Sequence, residues 1–318
     1  MKTQSLGTTD IQVSSLCYGA MRLGGHSWDR TKVSAEQIED GIKSIEAAVD
    51  AGYNFIDHAD IYCEGMCEEI YGRALKRHPE WREKIVVATK CGIRFEDEPQ
   101  GTPHRYDFSK EHILWSIDES LKRLNVERID LYQLHRPDWL ADPDEIAAAF
   151  TEIHKAGKVR YFGVSNFRPS LVAAVQSRVP FPLVANQVEI HFLRLDCFED
   201  GTLDQCLEKK MTPLAWSPLA GGRLGAALDA SRPMPEAERD VAAVARLQPL
   251  LRDIANDYNV TPLAILLAWQ MRHPSKIIPI FGSVRADLIK ASVKAAEIEL
   301  DRDNWYKILR AARGKKLA

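Results

Sequence analysis

The sequence predicts an α/β protein, a single (β/α)8 TIM barrel in which eight parallel strands alternate with helices. Three observations predict it. Eight short runs of apolar and β-branched residues alternate with segments of helical periodicity. The runs are apolar throughout, which is typical of parallel strands covered by helices. The chain has 318 residues, a length that suits one barrel with insertions. We therefore expect one domain over residues 1–318.

A doubly wound open sheet is the main alternative to the barrel. Such sheets usually carry Gly-x-Gly-x-x-Gly after the first strand, where it binds a dinucleotide. The sequence lacks this fingerprint, and it also lacks a Walker loop, Gly-x-Ser-x-Gly and His-Glu-x-x-His. The barrel is therefore the favoured architecture.

A hairpin that turns at Gly7 is predicted over residues 1–14, before the barrel begins. Each barrel strand is then identified by its short apolar run. The predicted strands cover residues 15–19, 54–57, 85–90, 129–135, 159–164, 183–188, 212–216 and 276–280.

Helices are predicted where apolar residues recur three and four positions apart, between start and stop signals. Ser109 is a predicted N-cap, and Gly157 marks a helix end. The predicted helices cover residues 35–51, 67–77, 109–124, 143–156, 169–178, 201–210, 247–258, 262–272, 285–297 and, as an extra C-terminal helix, 301–312. A polar loop over 93–108 and a long loop over 219–240, after the seventh strand, complete the chain.

Composition and charge exclude several classes of partner. A net charge of −3 gives no reason to expect nucleic acid or an acidic membrane. The N-terminus lacks the apolar run of a signal peptide, and no segment approaches the ~18 apolar residues of a membrane span. Cys63 and Cys67 have no second pair at zinc spacing, so no metal is expected. We expect a cytoplasmic protein, a monomer or a weak homo-oligomer, that acts on a small molecule.

An unusual concentration of polar residues follows the second predicted strand. Asp57, His58 and Asp60 come directly after the apolar pair Phe55-Ile56, and Tyr62 closes the stretch. Buried strands seldom end in such a cluster, because ionised groups are costly to bury without partners. The stretch indicates a reaction centre, and a polar rim that caps the strand is the alternative interpretation.

Polar side chains also end most of the other predicted strands. The strand ends carry Asp57 and Tyr62, Lys90, His135, Ser165 and Asn166, Gln187, and Trp216 and Ser217. Active sites of barrels lie where the strands end in their C-terminal direction. We therefore expect these side chains to converge on a ligand, although any single one has an alternative role in bonding nearby backbone.

Lys90, Tyr62 and Asp57 together suggest an acid catalyst. A free tyrosine has a pKa of about 10 and is a poor acid near neutrality. A neighbouring lysine ammonium favours the phenolate, and a shift of about three units corresponds to roughly 4 kcal/mol. Asp57 is needed to keep a buried lysine charged. We predict that Tyr62 protonates an oxygen that His135 also bonds; the alternative for His135 is a bond to backbone.

The chain resembles the aldo-keto reductase family over nearly its whole length, and the sequences of its motifs are most similar to those of the bacterial YdhF-type oxidoreductases. Lys90 and five segments carry the resemblance: Asp57-His58-Ala59-Asp60-Ile61-Tyr62, Leu134-His135-Arg136-Pro137-Asp138, Gly163-Val164-Ser165-Asn166-Phe167, Asn186-Gln187-Val188-Glu189 and Ala215-Trp216-Ser217-Pro218-Leu219. The resemblance implies a barrel that binds NADPH and reduces aldehydes or ketones to alcohols. It implies catalytic roles for Tyr62 as proton donor, for Lys90 and Asp57 as its tuning pair, and for His135 as the residue that orients the carbonyl.

The resemblance also implies a set of cofactor contacts. Ser165, Asn166 and Gln187 correspond to residues that bond the nicotinamide carboxamide, and Trp216 to the aromatic residue that stacks on its ring. A core tryptophan is the alternative for Trp216. The remaining implied contacts are Gly19, Met21, Arg22, Asp57, Ser217, Pro218, Leu219, Gly221, Gly222, Arg223, Gly282, Ser283 and Arg285.

Two departures from the family pattern affect these expectations. Leu288 occupies a position where many relatives have an arginine for the 2′-phosphate, so that Arg285 or Lys290 would have to replace it. NADPH remains the expected cofactor, with NADH the second choice. His58 replaces the common threonine, and a structural role is the favoured interpretation.

Two other functions stay open at this stage. Lys90 at a barrel strand end suits a Schiff-base lyase of the aldolase type. A nicotinamide-binding regulatory or sensor protein with little turnover is the other. The presence of all four catalytic residue types favours a reductase over both.

Overall fold

The computed structural model describes residues 1–316, so that Leu317 and Ala318, the last residues of the predicted domain, lie outside the described range. Eight parallel strands form a closed barrel, which confirms the predicted fold class. The barrel strands are β3 (Cys17–Gly19), β4 (Phe55–Asp57), β5 (Val86–Cys91), β8 (Ile129–Leu134), β9 (Val159–Ser165), β10 (Leu183–Glu189), β11 (Thr212–Trp216) and β12 (Ile278–Phe281). Neighbours in the barrel follow chain order, and β12 closes on β3.

Helices connect and surround the strands, as the apolar spacing predicts. They are α1 (Ala35–Asp50), α2 (Met66–Arg77), α3 (Lys110–Leu124), α4 (Pro143–Lys155), α5 (Pro169–Gln176), α6 (Thr202–Lys209), α7 (Gly225–Leu228), α8 (Glu238–Asp257), α9 (Pro262–Met271), α10 (Ala286–Ser292) and α11 (Arg302–Arg313). Ser109 caps α3, because its side chain accepts a hydrogen bond from the backbone N–H of His112. Among residues 1–316, no helix is both long enough and apolar enough to cross a membrane.

The N-terminal hairpin, formed by β1 (Thr3–Ser5) and β2 (Gln12–Ser14), closes one end of the barrel. Gly7 lies in its turn with a φ of 56°, and a Cβ there would lie 2.6 Å from the carbonyl oxygen of Val184. Leu6 and Val13 pack with the apolar residues that fill the barrel interior. A ligand therefore has to approach from the opposite end, where the strands have their C-terminal residues.

The structure differs from the sequence prediction in the segment after β11. The loop over 219–240 contains α7, and α8 begins at Glu238 rather than near residue 247. Pro249 lies inside α8, and proline usually indicates a helix boundary. The apolar stripe nevertheless continues across it through Val244, Leu247 and Leu251, all buried. Tertiary packing therefore outweighs the local effect of the proline.

Two smaller differences concern predicted loop and helix bounds. The predicted loop over 93–108 contains a short hairpin of β6 (Ile93–Arg94) and β7 (Arg105–Tyr106). The predicted helix over 285–297 is divided into α10 and a 3₁₀ turn over Val293–Glu297. The β6–β7 hairpin follows β5 and therefore lies beside the C-terminal end of the barrel.

Candidate active site

The predicted site residues meet at the C-terminal end of the barrel. Asp57 ends β4, Ser165 ends β9 and Trp216 ends β11. Lys90 is the penultimate residue of β5, and His135 directly follows β8. Because parallel strands present these ends at one edge, side chains far apart in sequence become neighbours.

Lys90 and Asp57 form a fully buried ion pair. Lys90 Nζ lies 2.7 Å from Asp57 Oδ2 and donates a second hydrogen bond of 2.5 Å to the carbonyl oxygen of His58. Lys90 is 0% exposed. Burial by itself lowers the pKa of its ammonium, but the charge of Asp57 and the neighbouring Tyr62 raise it above the usual range. Lys90 is therefore charged, as predicted from the sequence.

Tyr62 lies beside this pair but does not have the lowered pKa that the sequence suggested. Lys90 Nζ is 5.0 Å from the centroid of its ring. Burial raises the pKa of Tyr62 to about 12, and the ammonium of Lys90 only partly opposes this. The predicted net decrease was wrong, because it counted the attractive charge and omitted the desolvation of the phenolate. Tyr62 is thus a protonated phenol at neutral pH.

His135 faces Tyr62 as a neutral imidazole. The two ring centroids are 5.9 Å apart, and the ring planes meet at 81°. Burial, together with the charges of Lys90 and Arg136, moves the pKa of His135 well below its usual range. Its Nδ1 is buried and has no hydrogen-bond partner within residues 1–316. Nδ1 thus makes no bond to backbone of the kind that the alternative role required.

The predicted nicotinamide contacts form one hydrogen-bonded group. Asn166 Nδ2 donates to the carbonyl oxygen of His135 at 3.2 Å and to Ser165 Oγ at 2.9 Å. Trp216 Nε1 donates to Asn166 Oδ1 at 3.0 Å. Gln187 Nε2 donates to Asp57 Oδ1 at 2.8 Å. The bonds fix all these groups, and Gln187 Oε1, which takes part in none of them, suits the N–H of a ligand carboxamide.

The half-buried ring of Trp216 has one face beneath a charged side chain. The guanidinium carbon of Arg136 lies 5.2 Å from the centroid of the indole ring. Such a cation–π contact holds the ring in place. Trp216 is therefore a surface of the site rather than a core tryptophan.

The loop after β11 contains several residues with a left-handed backbone. Ser217, Gly221 and Gly222 all have positive φ, at 54°, 65° and 98°. A Cβ built on either glycine would meet nothing within 4 Å, so the backbone faces open space. Pro218 is buried and Leu219 half-buried in the same loop. Arg223 has a structural contact as well as its predicted ligand contact, because its guanidinium donates a hydrogen bond of 2.6 Å to Asp240 Oδ2.

The segment after β12 lies against the end of β3. A Cβ on Gly282 would be 3.2 Å from the carbonyl oxygen of Gly19. Met21 and Arg22 follow Gly19 in a 3₁₀ turn, with Met21 exposed and Arg22 half-buried. The fold thus brings together two groups of predicted cofactor contacts: Gly19, Met21 and Arg22 at the end of β3, and Gly282, Ser283 and Arg285 after β12.

Arg285 is exposed in the same segment, but it is already paired. Its guanidinium makes two hydrogen bonds to Asp287, of 3.1 Å and 2.5 Å. Its backbone N–H bonds Ser283 Oγ at 3.2 Å. A phosphate at Arg285 would therefore compete with, or join, the carboxylate of Asp287.

The sequence prediction missed an aromatic wall next to Tyr62, formed by Trp28, Phe95, His104 and Tyr106. Trp28 is 45% exposed, and its ring lies 6.4 Å from the ring of Tyr62. Successive ring centroids along the wall are 5.9 to 6.3 Å apart. Aromatic residues in otherwise polar loops that follow barrel strands are the signal that would have identified it.

His58 packs in the interior, as the structural interpretation expects, although neither of its ring nitrogens has a hydrogen-bond partner within residues 1–316. Its ring is fully buried, and its centroid lies 4.9 Å from that of Tyr71. Burial and the charge of Lys90 lower the pKa of His58 to about 3, so that it is neutral.

Within residues 1–316, no group of three or more His, Cys, Asp or Glu side chains is placed to hold a metal ion.

Comparisons with known proteins agree with this arrangement. The sequence model of the Aldo/keto reductase family matches residues 15–313. The chain is 39% identical over 320 residues to a 6-dehydroglucose reductase from Novosphingobium aromaticivorans, covering 99% of this chain and 96% of the relative. It is 39% identical to the oxidoreductase YdhF of Escherichia coli over 283 residues, 89% of each chain.

A solved structure has the same fold. A thermostable aldo-keto reductase, Tm1743, crystallised with the inhibitor epalrestat, superposes with a TM-score of 0.80 at 26% identity, covering 98% of this chain and 100% of that one. The family match begins at Ser15 and covers all eight barrel strands and every residue of the candidate site. The chain is a member of the aldo/keto reductase family.

Proposed function

We propose that the protein is an NADPH-dependent oxidoreductase that reduces an aldehyde or ketone to an alcohol, with Tyr62 as the general acid. One observation carries the proposal. A charged lysine, Lys90, adjoins a protonated tyrosine, and a neutral histidine faces that tyrosine from a different strand. Carbonyl reduction requires a proton donor, a group that stabilises the resulting anion and a hydrogen-bond donor for the oxygen, and these three residues supply one each.

Tyr62 delivers the proton to the carbonyl oxygen. Its pKa of about 12 ensures that the proton is present at neutral pH. The phenolate that remains lies beside the ammonium of Lys90, which stabilises it in a site of low dielectric. Asp57, 2.7 Å from Lys90 Nζ, holds that ammonium in its charged form. A tyrosine that is a weak acid in the resting site thus becomes a competent donor when charge develops.

His135 positions the carbonyl. A neutral imidazole carries one N–H, and a ring that faces Tyr62 can direct it to the same oxygen. The hydrogen bond strengthens as the oxygen gains negative charge, so that it acts on the transition state more than on the bound substrate.

The residues around Gln187 fit a nicotinamide cofactor, which supplies the hydride when bound. Gln187 Oε1 and the Ser165 hydroxyl suit a carboxamide, and the indole of Trp216 offers a flat apolar surface. The backbone at Gly221 suits a pyrophosphate, because a Cβ there would meet nothing within 4 Å, whereas the N–H of Gly222 already donates to the carbonyl oxygen of Leu219 at 3.0 Å. Arg285 is our candidate for the 2′-phosphate, since guanidinium pairs well with phosphate.

Cofactor preference is tested at Arg285 and Asp287. Arg285→Ala is expected to weaken NADPH binding about tenfold or more while NADH is nearly unaffected, because only NADPH carries the phosphate. Asp287→Asn, which frees the guanidinium, is expected to strengthen NADPH. Titration of each variant with both dinucleotides, followed by tryptophan fluorescence, measures the effect. An equal loss for both dinucleotides would remove Arg285 from this role.

A Schiff-base lyase is disfavoured by the state of Lys90. A lysine must lose its proton to attack a carbonyl, whereas Lys90 is held charged by Asp57 and bonded to the His58 carbonyl. A sensor with little turnover has the same cofactor contacts as a reductase, so turnover distinguishes the two.

The decisive experiment is a panel of aldehydes and ketones with NADPH and, separately, with NADH, in which loss of the reduced cofactor is followed by absorbance. We expect oxidation of NADPH that depends on both carbonyl and enzyme, and that Tyr62→Phe reduces by about 10²–10⁴-fold. Binding of NADPH without turnover of any carbonyl would favour the sensor. Borohydride trapping of a carbonyl on Lys90 would favour the lyase.

A further inference from the structure

A second group of polar side chains lies behind Lys90 and Tyr62. We call it the Asp60 network; its members are Asp60, Glu68, Thr89, Ser116 and Arg123. Glu68 is fully buried and accepts hydrogen bonds from Thr89 Oγ1 at 2.5 Å and from Arg123 Nε at 2.7 Å. Asp60 Oδ2 accepts from Ser116 Oγ at 2.8 Å. None of the roles proposed above involves these residues.

The network contains two carboxyl groups and one guanidinium. Arg123 makes its salt bridge with Glu68, so that the charge of Asp60 is not matched directly. Asp60 Oδ1 is buried and has no hydrogen-bond partner in the part of the chain that the structure describes. The neighbouring titratable groups from β5 and β8, the Cys91 thiol and the Tyr132 phenol, are uncharged at neutral pH because burial raises both pKa values.

The network holds the segment that carries Tyr62 at both of its ends. Asp60 begins the segment, bonded to Ser116 of α3 and, through its backbone N–H, to the carbonyl oxygen of Lys90 at 3.1 Å. Gly65 ends it with a φ of 83°, directly over Arg123 of the same helix: a Cβ there would lie 2.6 Å from Arg123 Cδ. Tyr62 lies between these two anchors. A shift of Asp60 therefore moves the proton donor.

Asp60 also changes its charge in the neutral range, unlike the other groups around Tyr62. Burial, and then the negative charge of Glu68, raise the pKa of Asp60 to about 7, against the opposing effects of Ser116 and Arg123. The pKa of Tyr62 is about 12 and that of His58 about 3. The pKa of His135 lies well below its usual range. None of these three groups titrates near pH 7.

We propose that Asp60 is a positioning residue for Tyr62, and that loss of its proton makes carbonyl reduction pH-dependent in the neutral range. When Asp60 ionises, its charge repels Glu68, and its buried Oδ1 needs a hydrogen-bond donor that none of residues 1–316 provides. Displacement of Asp60 towards water relieves both effects and carries Tyr62 away from its place beside Lys90. The neutral carboxyl group is therefore the form that supports turnover.

The direction of the pH effect follows from this. Turnover is expected to fall as the pH rises through about 7. If only the molecules with neutral Asp60 react, kcat decreases about tenfold from pH 6 to pH 8, since each pH unit above the pKa reduces the protonated fraction tenfold. Asp60→Asn keeps the shape of the side chain without the titration, so that its kcat should stay nearly constant over the same range.

The test compares kcat between pH 5.5 and 8.5 for the complete wild-type chain and three variants, with NADPH and an aldehyde at saturation. We expect an inflection near pH 7 in the wild type and none in Asp60→Asn. Ser116→Ala should move the inflection to higher pH, because the Ser116 hydrogen bond lowers the pKa of Asp60. The matched control is Asp130→Asn, a buried aspartate at the opposite end of the barrel, which should keep the wild-type profile.

A second readout does not need turnover, because the pH effect on rate rests on the proposed function. In protein labelled with carbon-13 in its tyrosine rings, the Tyr62 resonance is the one that Tyr62→Phe removes. It should shift with a midpoint near pH 7 in the wild type and not in Asp60→Asn. A flat wild-type kcat profile, or the same inflection in Asp60→Asn, would overturn the proposal. If no carbonyl is reduced, the proposed function fails, and a Tyr62 resonance that is insensitive to pH near 7 then overturns this inference separately.

Discussion

The two ends of the barrel bury charge for different purposes. At the N-terminal end, Asp130 is 3% exposed and accepts a hydrogen bond of 2.9 Å from the backbone N–H of Val87. Arg82 and Arg160 flank it, each 3.5 Å away. At the C-terminal end, Lys90 and Asp57 pair beside His135, whose Nδ1 has no partner within residues 1–316. The first carboxylate is satisfied by the fold, whereas the second belongs to a group with unused hydrogen-bonding capacity.

Concavity does not distinguish the two ends. A cleft of about 1160 Å³ opens at the N-terminal end, and Asp130, Arg82 and Arg160 line it. Its buried carboxylate has partners on both oxygens. Around Tyr62, His135 Nδ1 and Asp60 Oδ1 are buried without a hydrogen-bond partner within residues 1–316, and burial shifts the pKa of both Tyr62 and His135. The size of a cavity therefore does not by itself mark the end of the barrel that carries the candidate site.

The largest expected effect is that of Lys90→Met. Turnover should fall by about 10²–10⁴-fold, because Tyr62 loses the charge that stabilises its phenolate. Asp57 is left buried without its partner, so the free energy of unfolding should also fall by about 3–5 kcal/mol. Adding Asp57→Asn should restore much of the stability but not the turnover. Recovery of both in the double variant would contradict the role of Lys90.

His135→Ala tests the positioning group at the same end. It should reduce kcat/KM for a carbonyl about 10²-fold, by loss of one hydrogen-bond donor to the developing anion. NADPH affinity should hardly change. Melting temperature and single-turnover hydride transfer are to be measured on one preparation. A stability loss without a rate loss would take His135 out of the active site.

Asp130→Asn provides the contrast at the N-terminal end. It removes a charge that Arg82 and Arg160 flank, so the free energy of unfolding should fall by about 1–3 kcal/mol. Denaturant unfolding measures this loss. The kcat of the folded enzyme should remain that of the wild type, because the site lies at the other end. A large decrease in kcat would mean that the two ends are coupled.

The smallest expected effect concerns the aromatic wall. Trp28→Ala should reduce kcat/KM for an aromatic aldehyde up to about tenfold, and less for an aliphatic aldehyde of similar size, since ring contacts contribute about 0.5–1.5 kcal/mol. Trp115→Ala is the control, because Trp115 is exposed on the outer helix α3. Equal losses for both aldehydes would indicate that Trp28 only supports Tyr62.

The sequence predicts the barrel well because its strands are buried on both faces. Runs such as residues 85–90 are apolar and β-branched, and β5 covers Val86–Cys91. The first half of α8 was missed, since the helix was predicted only from residue 247, whereas packing of the buried Val244 and Leu247 extends it to Glu238. Local signals therefore locate elements better than they locate ends that tertiary contacts determine.

The position of a site residue could be predicted where a polar side chain stands at the end of a predicted strand, as at Asp57, Lys90 and His135. The pKa of Tyr62 could not be predicted, because desolvation depends on burial that a sequence does not reveal. The aromatic wall was missed for a related reason: Trp28 and Phe95 belong to loops whose approach to Tyr62 is set by the fold.

The most direct test of the account is single-turnover hydride transfer in Tyr62→Phe, compared with the wild type on a good aldehyde. The substitution keeps the ring and removes only the hydroxyl group. We expect NADPH to bind as in the wild type, while the rate of hydride transfer falls by about 10²–10⁴-fold. A Tyr62→Phe variant that binds NADPH and transfers hydride at a near-normal rate would contradict the assignment of Tyr62 as the proton donor.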